Sequence, residues 1–227
     1  MSLEPVLNYY TISLYQEHVD TLTGNYWIED AIITFYFEYL THNKIKDDKL
    51  LLLNPTMMMF ISFITSKEEL EEALKERKLT EREIICFPIT DTQSLEQIGG
   101  SHWSLLVFVK KLNTFYYYDS MYTYNFHSAQ NFLNKFKPLL IEKEKLKETK
   151  IIQVKTKSQE NSYDCGLYLL SFANYIQNHF YSENEKSLNF LSDSKLINKE
   201  INENSVIELR SNILNLITSL AKEKKTY

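Results

Sequence analysis

Cysteine, glycine and proline are scarce in this chain of 227 residues, which contains two, four and four of them respectively. Two cysteines are too few for a disulfide framework or a cysteine-rich zinc site. So little glycine and proline gives no sign of a low-complexity linker. Hydrophobic residues make up 44% of the chain and aromatic residues 14%, which excludes a disordered protein. We therefore expect a single domain spanning residues 1–227.

Basic clusters and long apolar runs are also missing. The net charge is −5, and lysine and arginine are dispersed along the chain, which argues against a nucleic-acid partner. The most apolar stretch, residues 50–64, is interrupted by Asn54-Pro55 and is too short to cross a bilayer. No signal-peptide pattern is found at the start. We expect a monomer in the cytoplasm or nucleus, with no membrane association and no metal or organic cofactor.

One stretch, residues 158–170, places a cysteine at the start of an apolar helical pattern. A polar, turn-forming run ends at Cys165-Gly166, and apolar residues then recur at three- and four-residue steps to Phe180. Unpaired backbone N–H groups and the dipole at a helix start favour a thiolate over a thiol. Gly166 allows a tight turn and leaves the sulfur uncrowded. The stretch by itself leaves two interpretations open, a nucleophile or a small buried cysteine.

A predicted hairpin brings a histidine and an aspartate towards each other. Residues 102–109 form an almost continuously apolar strand, and residues 114–120 return as a second strand. If the loop between them has an even number of residues, His102 pairs with an odd-numbered residue near 119–123 and shares a sheet face with Asp119. An odd loop would break this arrangement.

The remaining pattern predicts a mixture of helices and strands. Asn54 and Pro55 are typical of an N-cap and a first helical residue, and Ser66 opens a capping box. Cys86 lies in an apolar strand and is predicted to be core. Residues 181–204 are polar and poorly patterned. Further strands are predicted at 6–15, 84–89 and 150–155, and helices at 27–40, 56–64, 66–77, 128–136, 165–180 and 206–220.

These residues are suited to nucleophilic catalysis. A cysteine nucleophile needs a base, a group that orients the base, and donors for the oxyanion that forms on attack. His102, Asp119 and Cys165 are candidates for the first roles, and the arrangement resembles a papain-like site. Gln159, six residues before the cysteine, carries an amide donor able to fold back beside the sulfur. Each of these residues also has an ordinary structural explanation.

The chain resembles the Ulp/SENP family of ubiquitin-like-modifier cysteine proteases, and within it the deneddylase branch, in four blocks: residues 99–106 (GGSHWSLL), 118–120 (YDS), Gln159 and 161–166 (NSYDCG). The order His, Asp, Gln, Cys and the spacings match, and the resemblance runs from about residue 6 to the last helix. It implies an α+β, papain-like cysteine proteinase fold with permuted His-Asp-Cys order, a central mixed sheet, and the nucleophile at the N-terminus of a buried helix.

The resemblance also implies a role for individual residues. Cys165 corresponds to the nucleophile, His102 to the general base and acid, Asp119 to the residue that orients it, and Gln159 to the oxyanion-hole donor. Trp103 matches the tryptophan that covers the channel for the modifier's Gly-Gly tail.

A second set of residues would bind this tail. Trp27 and Asp30 match a Trp-x-x-Asp signature on the tail-binding side, although by themselves they are better explained by packing and a first-turn charge. Residues 91–100 match a segment that closes over the bound tail in deneddylases. Glu29 stands where deneddylases usually have Asn. It either points to solvent or changes how a basic residue in the tail is read.

The predicted function is a thiol protease that cleaves after the C-terminal Gly-Gly of a ubiquitin-like modifier, first of all the neddylation modifier. The modifier and its conjugates are the predicted partners. The alternatives are the same chemistry on SUMO or ubiquitin, acetyl transfer, and a non-catalytic modifier-binding module. Trp103 argues against acetyl transfer, since an acyl-CoA donor needs a wider approach. The complete set of catalytic residues argues against a binding module.

Overall fold

A five-stranded mixed sheet lies at the centre of the structure, a computed structural model that describes residues 4–92, 100–141, 146, 148–182 and 187–224. Its strands are β3 (Leu50–Leu52), β4 (Ile84–Thr90), β5 (Trp103–Val109), β6 (Thr114–Tyr118) and β7 (Lys150–Gln153), which follow β1 (Leu7–Tyr9) and β2 (Ile12–Leu14). The spatial order is β3-β4-β5-β6-β7, with parallel pairs at both edges and antiparallel pairs in the middle. The prediction of a central mixed sheet is confirmed.

Two layers of helices cover the sheet. The helices are α1 (Gln16–Asp20), α2 (Asp30–Asn43), α3 (Pro55–Phe63), α4 (Lys67–Leu74), α5 (Phe126–Leu140), α6 (Cys165–Phe180), α7 (Ser194–Glu200) and α8 (Glu203–Lys224). Together with the sheet they form the predicted α+β fold. Within the part of the chain that the structure describes, no helix has the length and apolar character needed to cross a membrane.

The apolar strands are buried on both faces because alternate residues point into different cores. Leu105 and Val107 of β5 pack in one core with residues of α2, α6 and α8, and Cys86, which is fully buried, belongs to this core as predicted. Leu106 and Phe108 pack on the other face with residues of α3, α4 and α5. A continuously apolar strand is therefore typical of a sheet between two helical layers.

Local capping signals determine where two helices begin. The side chain of Asn54 accepts a hydrogen bond from the Met57 N–H, and Pro55 is the first residue of α3, as predicted. Ser66 accepts from the Glu69 N–H at the start of α4, also as predicted. The helix ends at Leu74, earlier than expected.

Other element boundaries differ from the predictions. Residues 6–15 form a hairpin and not one strand, because the chain turns at Tyr10, whose φ is 43°. Helix α2 starts at Asp30, since Glu29 is its extended N-cap residue. Helix α5 is longer than predicted at both ends, and β3 and α7 were not predicted. The polar segment around α7 is helical because Asp193 caps two backbone N–H groups.

The β5–β6 hairpin decides whether the candidate base and acid meet. Residues 110–113 form its four-residue loop, and Val109 pairs with Thr114. The loop therefore has an even number of residues, which is the condition stated above. Continued beyond the last pair, this register places His102 and Asp119 on the same face of the sheet, diagonally adjacent.

Candidate active site

His102 and Asp119 form a buried hydrogen-bonded pair at one end of the sheet. Nε2 of His102 lies 2.6 Å from Oδ1 of Asp119, and the two residues are 2% and 4% exposed. His102 directly precedes β5, and Asp119 directly follows β6. Because β5 and β6 are antiparallel neighbours, the residue before β5 and the residue after β6 lie at the same end of the sheet, next to each other.

Asp119 is fixed by donors on both of its carboxylate oxygens. Oδ1 also accepts from the Met121 N–H at 2.7 Å. Oδ2 accepts from the Tyr117 hydroxyl at 2.5 Å and from the Asn125 N–H at 3.3 Å. All four partners donate, so the carboxylate is held as an acceptor and oriented towards the imidazole.

Cys165 is the first residue of α6, as predicted, and its interaction with His102 contributes to the charge state of the imidazole. Burial disfavours the imidazolium, but the hydrogen bond to Asp119 and the interaction with Cys165 outweigh it and raise the pKa of His102 to about 9. Nδ1 of His102 is buried without a hydrogen bond of ordinary geometry to any described residue. This nitrogen is the one left to exchange a proton with the sulfur or a substrate.

Gln159 is anchored beside this pair. Its backbone N–H donates to the Ser120 carbonyl at 2.9 Å, and its side-chain oxygen accepts from the Ser120 hydroxyl at 2.7 Å. The amide nitrogen donates to the Asn161 carbonyl at 2.6 Å, in the turn that leads to Cys165. The amide therefore faces the turn before Cys165, and no hydrogen bond joins it to Cys165 among the described residues.

Gly166 allows the start of α6 to approach two neighbouring segments closely. A Cβ at this position would lie 2.5 Å from Cγ1 of Ile28 and 3.5 Å from Cδ1 of Trp103. The predicted reason for the glycine is corrected: it makes room for Ile28, and no left-handed backbone is involved. Trp103 is half-buried at this contact, and Trp27, next to Ile28, is 50% exposed.

The acidic residues that follow Trp27 lie at the surface. Asp30 is exposed in the first turn of α2. Glu29 is also exposed, and its Oε2 lies 3.6 Å from Nε2 of His18. Of the two alternatives for Glu29, the structure supports an exposed side chain that faces a histidine on α1. Its effect on a bound tail stays a prediction.

Two residues that sequence reasoning did not identify hold the start of β5. Oδ1 of Asp91 accepts from the N–H groups of Ser101 and His102 at 2.7 and 3.2 Å, and its Oδ2 accepts from the Ser101 hydroxyl. Burial favours the neutral acid, but these hydrogen bonds outweigh it and lower the pKa of Asp91. Nδ2 of Asn125 donates to the His102 carbonyl at 2.8 Å.

A polar residue directly after a buried strand is the only signal that marks Asp91 in the sequence. The partners of this carboxylate lie ten residues further on, so the pattern could not identify them. The predicted closing segment, residues 91–100, falls mostly on residues 93–99, which lie outside the described residues. These include Gly99, the first residue of the first resemblance block.

Comparison with known proteins places this chain in a family. The family described as the Ulp1 protease family, C-terminal catalytic domain, matches residues 26–224. The chain is 37% identical over 245 residues to the probable sentrin-specific protease 8 of Dictyostelium discoideum, which covers 98% of this chain and 100% of that protein. It is 31% identical over 224 residues to NEDD8-specific protease 1 of Arabidopsis thaliana, which covers 97% and 95%.

Solved structures of Ulp1-type proteases share the fold. The C-terminal Ulp1 protease domain in complex with SMT3, the yeast ortholog of SUMO, superimposes with a TM-score of 0.63 at 19% identity and covers 97% of this chain and 90% of that chain. A de-sumoylating protease superimposes with a TM-score of 0.68 at 16% identity and covers 95% and 89%. At these identities the likeness concerns the fold. With the family match over most of the sequence and the buried His102–Asp119 pair beside Cys165, this chain belongs to the Ulp1 family of cysteine proteases.

Proposed function

We propose that this protease cleaves after the C-terminal Gly-Gly of a ubiquitin-like modifier, and that the modifier is NEDD8. The observation that carries the reaction is the buried His102–Asp119 pair beside Cys165 at the start of α6. The choice of modifier is supported by relatives that match over nearly their whole length and bear the names NEDD8-specific protease and sentrin-specific protease 8.

The first half of the reaction forms an acyl-enzyme. The Cys165 thiolate attacks the carbonyl carbon of the terminal glycine, and the C–S bond forms as the carbonyl oxygen becomes an oxyanion. The Gln159 amide and the backbone N–H groups at the start of α6 stabilise this oxyanion. When the C–N bond breaks, the His102 imidazolium gives its proton to the leaving amine, a lysine side chain or a peptide. With a pKa of about 9, His102 carries this proton at neutral pH.

The second half releases the modifier. Neutral His102 takes a proton from water, and the resulting hydroxide attacks the thioester carbonyl. The C–S bond breaks, the modifier leaves with a free carboxylate, and the site returns to thiolate and imidazolium. Asp119 keeps the imidazole oriented through both steps, since its four donors leave the carboxylate no other orientation.

The shape of the site supports a diglycine substrate. Cys165 is only 3% exposed although it starts its helix, and Trp103 packs beside Gly166. We infer from this a narrow approach to the sulfur, in which the indole leaves little room for a substrate side chain at either of the last two positions. Glycine alone lets an extended chain lie flat in such a channel.

The test is a panel of modifiers that carry a C-terminal electrophile. NEDD8, SUMO and ubiquitin probes are incubated with the wild type, Cys165→Ala and the matched control Cys86→Ala, and adducts are read by mass spectrometry. We expect an adduct with the NEDD8 probe in the wild type and in Cys86→Ala, and none in Cys165→Ala. Labelling mainly by SUMO or ubiquitin would contradict the choice of modifier, and labelling of Cys165→Ala would contradict the nucleophile.

The location of the protein is part of the proposal. We propose the cytoplasm or the nucleus, because a cysteine nucleophile stays reduced there. Fractionation of cells that express the protein, with the modifier probe as the readout, tests this point.

A further inference from the structure

Arg210 of α8 joins two segments of the active site that are far from it in sequence. Its guanidinium donates to the Thr21 carbonyl at 2.6 Å and the Tyr26 carbonyl at 2.9 Å. It also donates to Oδ1 of Asp164 at 2.7 Å. The arginine side chain is 11% exposed and that of Asp164 is 4% exposed. This is a largely buried ion pair in which one planar fork serves three acceptors.

On one side, Arg210 holds the turn that presents the nucleophile. Asp164 is the N-cap residue of α6 and immediately precedes Cys165. Its Oδ2 accepts from Nδ2 of Asn161 at 2.8 Å, and Oδ1 of Asn161 accepts from the N–H groups of Tyr163 and Asp164, both at 3.0 Å. The turn is closed on itself, and the arginine connects it to the body of the protein.

On the other side, Arg210 holds the segment that leads to Trp27. The Tyr26 carbonyl accepts the arginine bond, and two residues later Ile28 packs against Gly166 at the start of α6. The candidate tail-binding segment and the nucleophile turn are therefore joined by one side chain. A displacement of either segment would change the width of the approach to Cys165.

Arg210 also balances a charge next to the sulfur. The charged or titratable groups in contact with Cys165 or its turn include His102 and, behind it, Asp119 on the sheet side, Asp164 in the adjacent turn, and Arg210 from α8, whose guanidinium lies 5.8 Å from the centre of the Tyr163 ring. Without the arginine, the buried Asp164 carboxylate would keep its hydrogen bond from Asn161 but would have no positive partner, one residue from the sulfur. A nearby uncompensated negative charge disfavours a thiolate.

We propose that Arg210 is a positioning residue that fixes the Cys165 turn (residues 161–165) relative to the Trp27 segment (residues 26–28) and neutralises the charge of Asp164. The inference rests on the proposed role of Cys165 as nucleophile. It does not depend on which modifier is the substrate. Two functions of one side chain, a charge and a three-way bridge, can be separated by different variants.

Two measurements on the full chain separate these functions. The first is the pH dependence of Cys165 alkylation by iodoacetamide, and the second is the KM for hydrolysis of a NEDD8–aminomethylcoumarin conjugate. Arg210→Met is expected to raise the alkylation midpoint by about one pH unit, which slows alkylation about tenfold at pH values below the wild-type midpoint. Adding Asp164→Asn to this variant removes the unpaired charge and returns the midpoint to near the wild-type value.

Arg210→Lys keeps the charge but replaces the planar fork, whose two nitrogens reach the three acceptors, with a single ammonium nitrogen. We expect this variant to have a wild-type alkylation midpoint and a several-fold higher KM, because the Trp27 segment is no longer held. Arg82→Met is the matched control. The Arg82 side chain is also nearly buried, at 12% exposure, and donates to the carbonyls of Arg77 and Asp48 away from the site.

The control variant is expected to lose stability with no change in either measurement. Thermal unfolding confirms that each variant is folded, and Arg210→Lys provides the test if Arg210→Met does not fold. A folded Arg210→Met with a wild-type alkylation midpoint, or Arg210→Lys with a wild-type KM, overturns the proposal. If the wild type hydrolyses no NEDD8 conjugate, the proposed modifier is wrong, and the alkylation measurements still test Arg210.

Discussion

Replacing Asp119 with asparagine tests the central electrostatic feature of the site. The carboxylate lies 2.6 Å from Nε2 of His102 and is one of the groups that raise the pKa of this histidine to about 9. The variant keeps the size of the side chain but removes its charge. Asparagine has one acceptor oxygen for the donors that now share two, so we also expect a loss of about 1–3 kcal/mol of stability.

The expected size of the effect follows from the pKa of His102. The difference between a pKa of about 9 and the ordinary value of 6.5 corresponds to about 3 kcal/mol in favour of the imidazolium. Removing an adjacent opposite charge lowers a histidine pKa by about 1–3 units. If the pKa falls to about 7, the imidazolium fraction at pH 8.5 falls from about 75% to about 3%, so protonation alone lowers kcat/KM about 25-fold.

The assay is the pH profile of kcat/KM for a fluorogenic modifier conjugate. The active form needs imidazolium, so the wild-type activity falls as the pH rises through about 9, and the fall in Asp119→Asn occurs at lower pH. Tyr117→Phe is the control, because it removes one donor to Asp119 and leaves the charge. An alkaline limb of Asp119→Asn that coincides with the wild type would refute the electrostatic argument.

Thermal unfolding gives a second readout of the same pair. The folded pKa of His102 exceeds the ordinary value of 6.5, so its stabilising contribution is complete below pH 6.5 and is lost as the pH rises through about 9. Asp119→Asn is expected to lose most of this dependence on pH.

Three further predictions concern single positions. Gln159→Glu keeps the shape of the side chain but removes the amide donor, and we expect kcat to fall about 10²–10³-fold with little change in KM; an unchanged kcat would exclude the oxyanion role. Gly166→Ala places a methyl group 2.5 Å from Ile28 and is expected to cost about 1–3 kcal/mol in urea unfolding, partly recovered by Ile28→Val; full stability of the single variant would contradict this contact. Burial raises the pKa of the Cys86 thiol, so iodoacetamide should modify Cys165 alone in the native protein and Cys86 only in urea, as peptide mapping would show.

Much of the candidate site could be predicted because its signals are local or depend only on whether a loop has an even number of residues. The N-caps at Asn54 and Ser66 bond to N–H groups three residues away, so short patterns identify them. The shared face of His102 and Asp119 follows from an even loop and the two-residue period of a strand. Cys165 at a helix start follows from a polar turn that precedes an apolar pattern of helical period.

The remaining predictions failed where contacts with distant segments determine the local structure. Strand β3 has three residues and pairs with β4 more than thirty residues further on, so its sequence alone carries no strand pattern. The need for glycine at 166 arises from Ile28, on another segment, and not from the local backbone. Helix α7 forms in a polar segment because Asp193 caps it and Ile197 enters the core.

By itself, the sequence determined the order of the candidate catalytic residues and the starts of several helices, and it reduced the meeting of His102 and Asp119 to whether one loop has an even number of residues. These depend on hydrogen bonds and side-chain periods within a few residues. Only the tertiary structure decided which groups hold the candidate site in place, such as Asp91 at the start of β5 and Arg210 at the turn before Cys165. Arg210 lies 46 residues from Asp164 and 184 from Tyr26, and contacts over such separations depend on the packing of the whole fold.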